Sequence, residues 1–227
     1  MKKKILESVD STNSWVKREP LSEPTCVIAR EQTGGRGRYG NSWLSPKDTN
    51  LYLTYSEPLR FSLITYLQAS ALALQKAVAS FGISAQIKWP NDLLINGEKL
   101  AGILVEGTSK ENQPWAIVGI GLNVNMDKKM LSSLNRSATS LLLCTRKPLS
   151  LQSVQEKVLS ELLSTLQSSD IEERWKEECS WIIGTKTTIQ TSTKKITGTV
   201  EKISPSGELL LRTEGGCIQI SQGEILS

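Results

Sequence analysis

Histidine is absent from the 227 residues of this chain. That removes Ser-His-Asp and Cys-His catalysis, imidazole acid–base work and His-ligated metals together. Cysteine is scarce, and Cys26, Cys144, Cys179 and Cys217 stand far apart without a Cys-x-x-Cys pair, which argues against a zinc knuckle or a redox dithiol. They read as reduced, mostly buried thiols of a cytoplasmic protein. Aromatics are only 5% and the net charge is a mild +4, with no basic arm, short of a nucleic-acid footprint. Long apolar runs are missing as well: Gln68, Ser70, Gln75 and Lys76 interrupt the segment 62–83, so it reads as a buried amphipathic helix and not as a membrane span. The basic start Lys2-Lys3-Lys4 has no apolar run behind it and is not a secretory signal. Because the first motif begins at Asp10, an N-terminal helix-turn-helix, and with it a DNA partner, is not expected.

What is present is an ordinary globular composition, 38% hydrophobic and 22% charged, with length for one full domain and a small second one. Short apolar or alternating runs at 25–30, 51–55, 85–89, 99–106 and 116–125, bounded by Gly, Pro, Asn or Asp, predict strands. A helix is expected at 62–81. A second should carry Leu151, Val154, Val158, Leu159, Leu162, Leu163 and Leu166 on one face, with Ser153 and Glu156 as a capping box. Asp170 followed by Glu173 predicts the start of a shorter helix through Trp175. Beyond Gly184 the texture is β-rich, at 187–190, 196–203, 208–212 and 217–220, with Gly and Ser204-Pro205-Ser206-Gly207 turns. The expected division is therefore 1–183 and 184–227. The short tail should dock on the larger unit, since so few residues hardly bury a core alone.

Several segments carry groups suited to chemistry. Gly35, Gly37 and Gly40 form a literal G-x-G-x-x-G, but Asn41, Ser42 and Pro46 follow where a dinucleotide fold needs a helix to open, so that reading is rejected. A Walker A loop fails for want of Gly-Lys-Ser/Thr. What remains is a glycine loop bearing Arg36 and Arg38, whose N–H groups suit phosphate or carboxylate oxygens; a plain surface turn or an RNA-contacting loop is the alternative. Lys88-Trp89-Pro90-Asn91-Asp92 is a turn between two apolar strands. Lys99 enters the apolar run 99–106, either as an edge gatekeeper or as a cation aimed into a site, and Gly102 within it permits close approach or marks a bulge. Gly119-Ile120-Gly121-Leu122-Asn123 is glycine-interrupted again, while Ser11-Thr12-Asn13 equally fits a helix N-cap.

Taken in order, Asp10-Ser11-Thr12-Asn13, Gly35-Arg36-Gly37-Arg38-x-Gly40-x-x-Trp43, Lys88 to Asp92, Lys99-Leu100-Ala101-Gly102-Ile103-Leu104-Val105-Glu106 and Gly119 to Asn123 resemble the biotin protein ligase family over nearly the whole chain. The resemblance is to the monofunctional type without a DNA-binding domain. It implies an α+β fold: a mixed-sheet catalytic domain of the biotin/lipoate ligase type and a small C-terminal SH3-like β-barrel. It implies ATP-dependent activation of biotin to biotinyl-5′-AMP, with Mg²⁺ as activator, followed by transfer to a lysine of a biotin carboxyl carrier protein or domain. By that resemblance Lys99 and Arg38 are catalytic. Ser11, Thr12, Asn13, Gln32, Arg36, Gly37, Arg38, Lys99, Gly102 and Leu104 bind biotin, and Arg38, Trp43, Lys99 and Asn123 serve ATP. Asp92 orients either Mg²⁺ or the acceptor lysine. Asn41 stands where many bacterial relatives have Arg, leaving the loop one charge fewer. A lipoate-protein ligase is the nearest rival, but its Arg-Arg-x-x-Gly-Gly-Gly loop and downstream His-Asp are missing. An RNA-binding module would need more aromatics and charge than this chain has.

Overall fold

The computed structural model describes residues 1–134, 136–204 and 206–226. Pro205 of the expected turn and Ser227 at the end of the expected tail lie outside them. The described elements are, in chain order, β1 (Lys2–Leu6), α1 (Thr12–Arg18), β2 (Thr25–Ala29), β3 (Leu51–Pro58), α2 (Leu63–Ala79), β4 (Gln86–Lys88), β5 (Asp92–Ile95), β6 (Glu98–Lys110) and β7 (Gln113–Leu122). Then come α3 (Lys128–Ser132), α4 (Leu141–Thr145), α5 (Leu151–Thr165), α6 (Ile171–Cys179), β8 (Lys186–Gln190), β9 (Lys195–Ile203), β10 (Leu209–Thr213), β11 (Gly216–Ile220) and β12 (Glu224–Ile225).

The first seven strands form one sheet in the order β1-β2-β3-β7-β6-β5-β4, with β1 parallel to β2 and the other pairs antiparallel. This is the expected mixed sheet. Strand alternation sorts its two faces. Leu51, Leu53 and Tyr55 on β3, Ala101 and Ile103 on β6, and Val118, Ile120 and Leu122 on β7 are buried in the main core, which α2, α5 and α6 share. The opposite face carries Thr54, Gly102, Leu104, Gly119 and Gly121, and there α1 covers only a small cluster of Val16, Val27 and Ile117. One face is filled; the other is left low by small residues, and a cleft opens on it.

Helix α2 begins where Ser62 accepts a bond from the Thr65 amide, as an N-cap should. It is buried on nearly every side, which explains its high apolar content. For α5 the cap is Ser150, accepting from the Ser153 amide, so the expected Ser153–Glu156 box is corrected: Ser153 is already helical. Helix α6 starts after Asp170 as expected, although Asp170 makes no side-chain cap and instead accepts from the Ser168 hydroxyl.

Strands β8 to β12 form a five-stranded antiparallel sheet in the order β11-β10-β9-β8-β12. Its apolar face, including Ile189, Val200, Leu209 and Leu211, joins the same core as α2 and α6. An indole N–H bond crosses the joint, Trp89 Nε1 donating to the Gly207 carbonyl (2.8 Å), while Trp181 Nε1, just before the tail, donates to the Ile87 carbonyl (2.9 Å) within the larger unit. The tail is docked. The expectation for cysteines needs correction, because Cys26 and Cys179 are buried whereas Cys144 and Cys217 are exposed. Burial pushes the Cys26 thiol up to about 12. No helix of the described residues is long and apolar enough to cross a membrane.

Candidate active site

A cleft opens on the low face of the large sheet. Its walls bring together Ser11, Thr12, Asn13, Gln32, Arg36, Gly37, Arg38, Trp43, Asp92, Lys99, Gly102 and Leu104, residues from four segments of the sequence.

At one end the walls are neutral and preorganised. Ser11 caps α1 and is buried, so the N-cap and the cleft-lining readings both apply. Gln32 Oε1 accepts from the Thr12 amide (2.9 Å) and lies 3.1 Å from Thr12 Oγ1, while Gln32 Nε2 donates to Ser45 Oγ (2.9 Å). Thr54 Oγ1 is fully buried, donates to Asn13 Oδ1 (2.6 Å) and lies 2.8 Å from Thr12 Oγ1. Asn13 Nδ2 donates to the Leu104 carbonyl (3.2 Å) and to Glu106 Oε2 (2.9 Å), which fixes the amide's orientation. A side chain at position 119 would collide with this arrangement, because an added Cβ would stand 2.4 Å from Asn13 Oδ1. Burial raises the cost of charge on Glu106. The Lys17 ammonium at 2.6 Å, the Asn13 amide and the Arg36 guanidinium outweigh it and hold the carboxyl below its ordinary value.

The other end is cationic. Lys99 Nζ pairs with Asp92 Oδ2 at 2.7 Å, both side chains largely buried, and sits 5.6 Å from the Trp43 ring centre. Asp92 Oδ1 is buried without a partner among the described residues. The glycine loop makes a short 3-10 turn at Arg38–Gly40, with Tyr39 in the left-handed region at φ 56°, and no α-helix follows it, in accord with rejecting a dinucleotide fold. Arg36 reaches back to Ser14 Oγ (2.9 Å). Arg38 donates to Asn91 Oδ1 (3.0 Å), the Gly223 carbonyl (3.1 Å) and Tyr39 Oη (3.0 Å).

Trp43 lies on the paired glycines of β6 and β7. Added Cβ atoms at Gly121 and Gly102 would stand 2.5 Å and 3.2 Å from its ring, and the two residues face each other across the strands. A second, smaller cavity is lined by Trp43, Lys99, Asn123, Met126 and Arg136 among others. Asn123 is brought to that cavity, but its buried amide is engaged by the Thr139 carbonyl (3.0 Å), so its visible role is to fasten the loop before α4.

Sequence reasoning passed over Thr54, Arg136 and the part of Glu224. Thr54 sits in a run read simply as strand, and only its polarity amid buried neighbours singles it out. Arg136, which lines both cavities, has no periodic or motif context. Glu224 reaches the cleft from β12, a contact across the fold that no local pattern reveals.

Among the described residues no group of three His, Cys, Asp or Glu side chains is placed to hold a metal ion. The donor set therefore does not build a resident metal centre. It suits anionic oxygens at the cationic end and a neutral, hydrogen-bonding head at the other.

Comparison with known proteins gives the family. Residues 5–125 match the model of the biotin/lipoate A/B protein ligase family, and residues 182–226 match the biotin protein ligase C-terminal domain. The bifunctional ligase/repressor BirA of Bacillus spizizenii is 30% identical, over 97% of this chain and 71% of that protein. A biotin–[acetyl-CoA-carboxylase] ligase of Paracoccus denitrificans is 39% identical over 53% of each chain. The solved biotin protein ligase of Aquifex aeolicus, in complex with biotin and ATP, superposes with a TM-score of 0.82 at 30% identity, covering 99% of this chain and 97% of that one. With a family model over more than half its length and relatives along almost all of it, this chain belongs to the biotin/lipoate A/B protein ligase family.

Proposed function

We propose that this protein activates biotin with ATP and transfers it to a lysine of a carrier protein. The observation that carries the reading is the cleft's two-ended chemistry: a buried neutral network of Thr12, Asn13, Gln32 and Thr54 at one end, and Lys99 with Arg38 at the other. A biotin head has urea-like donors and acceptors and its tail ends in a carboxylate, so the molecule matches the cleft in polarity along its length.

The carboxylate does not react with amines unaided. In the first step its oxygen attacks the α-phosphorus of ATP, an acyl–phosphate bond forms, and pyrophosphate leaves. Two anions must be held together, so charge neutralisation by Lys99 and Arg38 is the main task of the protein. Their roles are assigned on the family's motif positions and on their place in the cleft. In the second step the carrier lysine's amine attacks the acyl carbon, AMP leaves with the bonding electrons, and an amide results. Neither step needs histidine. Mg²⁺ enters with the nucleotide phosphates as part of the co-substrate, consistent with a donor set that is not a metal cage.

On this reading Ser11, Thr12, Asn13 and Gln32, with Gly37, Gly102 and Leu104, contact biotin. Trp43 and the second cavity, with Asn123 at its wall, take the nucleotide. Asp92, already paired with Lys99, serves to place that lysine or the incoming amine. A biotin carboxyl carrier domain is the partner and the cytoplasm the setting. We place the unit boundary at 183/184, where Gly184 turns at φ 84° into the tail. Lipoate ligation is the weaker reading, since the neutral end is walled by directed polar groups, to which an apolar dithiolane ring offers no hydrogen-bonding partner. Incubation with biotin, MgATP and a biotin carboxyl carrier domain should add one biotinyl group to a single lysine, read by intact mass. An unchanged carrier mass with a freshly folded enzyme would contradict the proposal.

A further inference from the structure

Arg38 is tied to both sheets of the molecule. One of its terminal nitrogens, Nη1, bonds both Asn91 Oδ1 at 3.0 Å, on the turn between β4 and β5, and the Gly223 carbonyl at 3.1 Å, immediately before β12 of the C-terminal sheet. The other, Nη2, donates to Tyr39 Oη at 3.0 Å, and the Tyr39 ring lies 4.9 Å beneath the guanidinium. Three of the five N–H donors are thereby used, and among the described residues the remaining two are left for an anionic oxygen in the cleft.

Both acceptors are themselves held. Asn91 Nδ2 donates to the Ile103 carbonyl (3.0 Å) and the Asn91 carbonyl accepts from the Ile103 amide (2.9 Å), so Oδ1 must face the arginine. Gly223 sits so tightly on β8 that an added Cβ would stand 2.4 Å from Ile189 Cγ2 and 3.1 Å from the Gln190 carbonyl oxygen. That packing fixes where its carbonyl points. The glycine loop thus has its cation aimed by two rigid acceptors outside the loop.

We propose that the Asn91 amide and the Gly223 carbonyl are a positioning pair for Arg38, through which the C-terminal sheet sets the geometry of the phosphate end of the cleft. The proposal rests on the adenylation reading above and adds a role for the C-terminal sheet that no substrate contact requires. It makes Asn91 and Gly223 positioning residues acting through Arg38.

The test is a set of double-mutant cycles read on release of biotinyl-5′-AMP made by the enzyme itself, with thermal melting followed in parallel. Asn91→Ala and Gly223→Ala should each speed adenylate loss about tenfold in the wild-type background, the size expected for one bond to a charged group. In an Arg38→Ala background the same substitutions should change the release rate by less than about twofold, because the residue they act through is gone. Asn91→Asp, which keeps an acceptor toward Arg38 but sets its second oxygen against the Ile103 carbonyl, should lose the intermediate more slowly than Asn91→Ala, though faster than wild type. Equal accelerations in both backgrounds, or an Asp variant as leaky as the Ala variant, would overturn the proposal and leave Asn91 and Gly223 as packing residues. If Gly223→Ala does not fold, the Asn91 cycle alone decides. A wild-type enzyme that forms no adenylate would instead refute the adenylation reading, an outcome separate from either result.

Discussion

Thr12, Asn13 and Thr54 are buried and bonded to one another at one end of the cleft, whereas at the other Arg38 is only half-buried and Tyr39 is exposed, on a loop with positive φ at Tyr39 and Gly40. The difference follows from what each end must bind. A neutral polar head gains little from any one hydrogen bond but loses about 1–3 kcal/mol for each buried group left unpaired, so its partners must be fixed in advance. Charged oxygens are attracted over longer distances and tolerate adjustment, so cations on an adaptable loop suffice provided something outside the loop aims them.

Removing the cation at the reacting end should have the largest effect. Lys99→Met is expected to slow biotin-dependent pyrophosphate exchange by about a hundredfold to a thousandfold with an unchanged melt, as loss of transition-state charge stabilisation predicts. A folded variant exchanging at near wild-type rate would erase the distinction between the two ends. Arg38→Ala should come next: adenylate released about tenfold to a hundredfold faster, with biotin affinity in the absence of ATP changed little. Affinity falling as steeply as retention would show that the cation reads the biotin head as well.

The neutral end is sharpened by Thr54→Val. It leaves Asn13 Oδ1 without its donor, and should cost about 1–3 kcal/mol of stability and roughly tenfold in biotin affinity, measured by melting and calorimetry. A neutral outcome in both would mean that the network does not matter to the pocket. The smallest effect concerns pH. Glu106 is held below its ordinary value of 4.5 despite burial, so its charged form stabilises the fold above that pH, and the contribution fades as pH falls through the lowered folded value. The gap in melting temperature between wild type and Glu106→Gln should be steady from about pH 8 to 6 and close below about 4.5. A gap that widens on acidification would give the ion cluster the opposite sign.

Much of this is legible in the sequence, for reasons specific to particular segments. Alternation exposed β3, β6 and β7, and the G-x-G spacing of Gly119 and Gly121 in a period-two strand leaves one face bare, which is how the cleft floor is made. Strand β1 escaped notice because its lysines are an exposed edge and show no apolar alternation. Strand β5 is only four residues long, buried throughout, and hidden behind the turn motif that precedes it. The capping box at Ser153 failed because Ser150, one turn earlier, supplies the same chemistry ahead of Leu151. Contacts such as Arg38 with Gly223, separated by most of the chain, leave no local trace at all.

The most direct test of the account is isotope exchange between pyrophosphate and ATP with MgATP and either biotin or lipoate as the acid. A cleft with a preformed polar head site and a cationic carboxylate end predicts exchange that requires biotin and is negligible with lipoate. Exchange supported by lipoate and not by biotin, or none with either acid in a cooperatively melting protein, would contradict it.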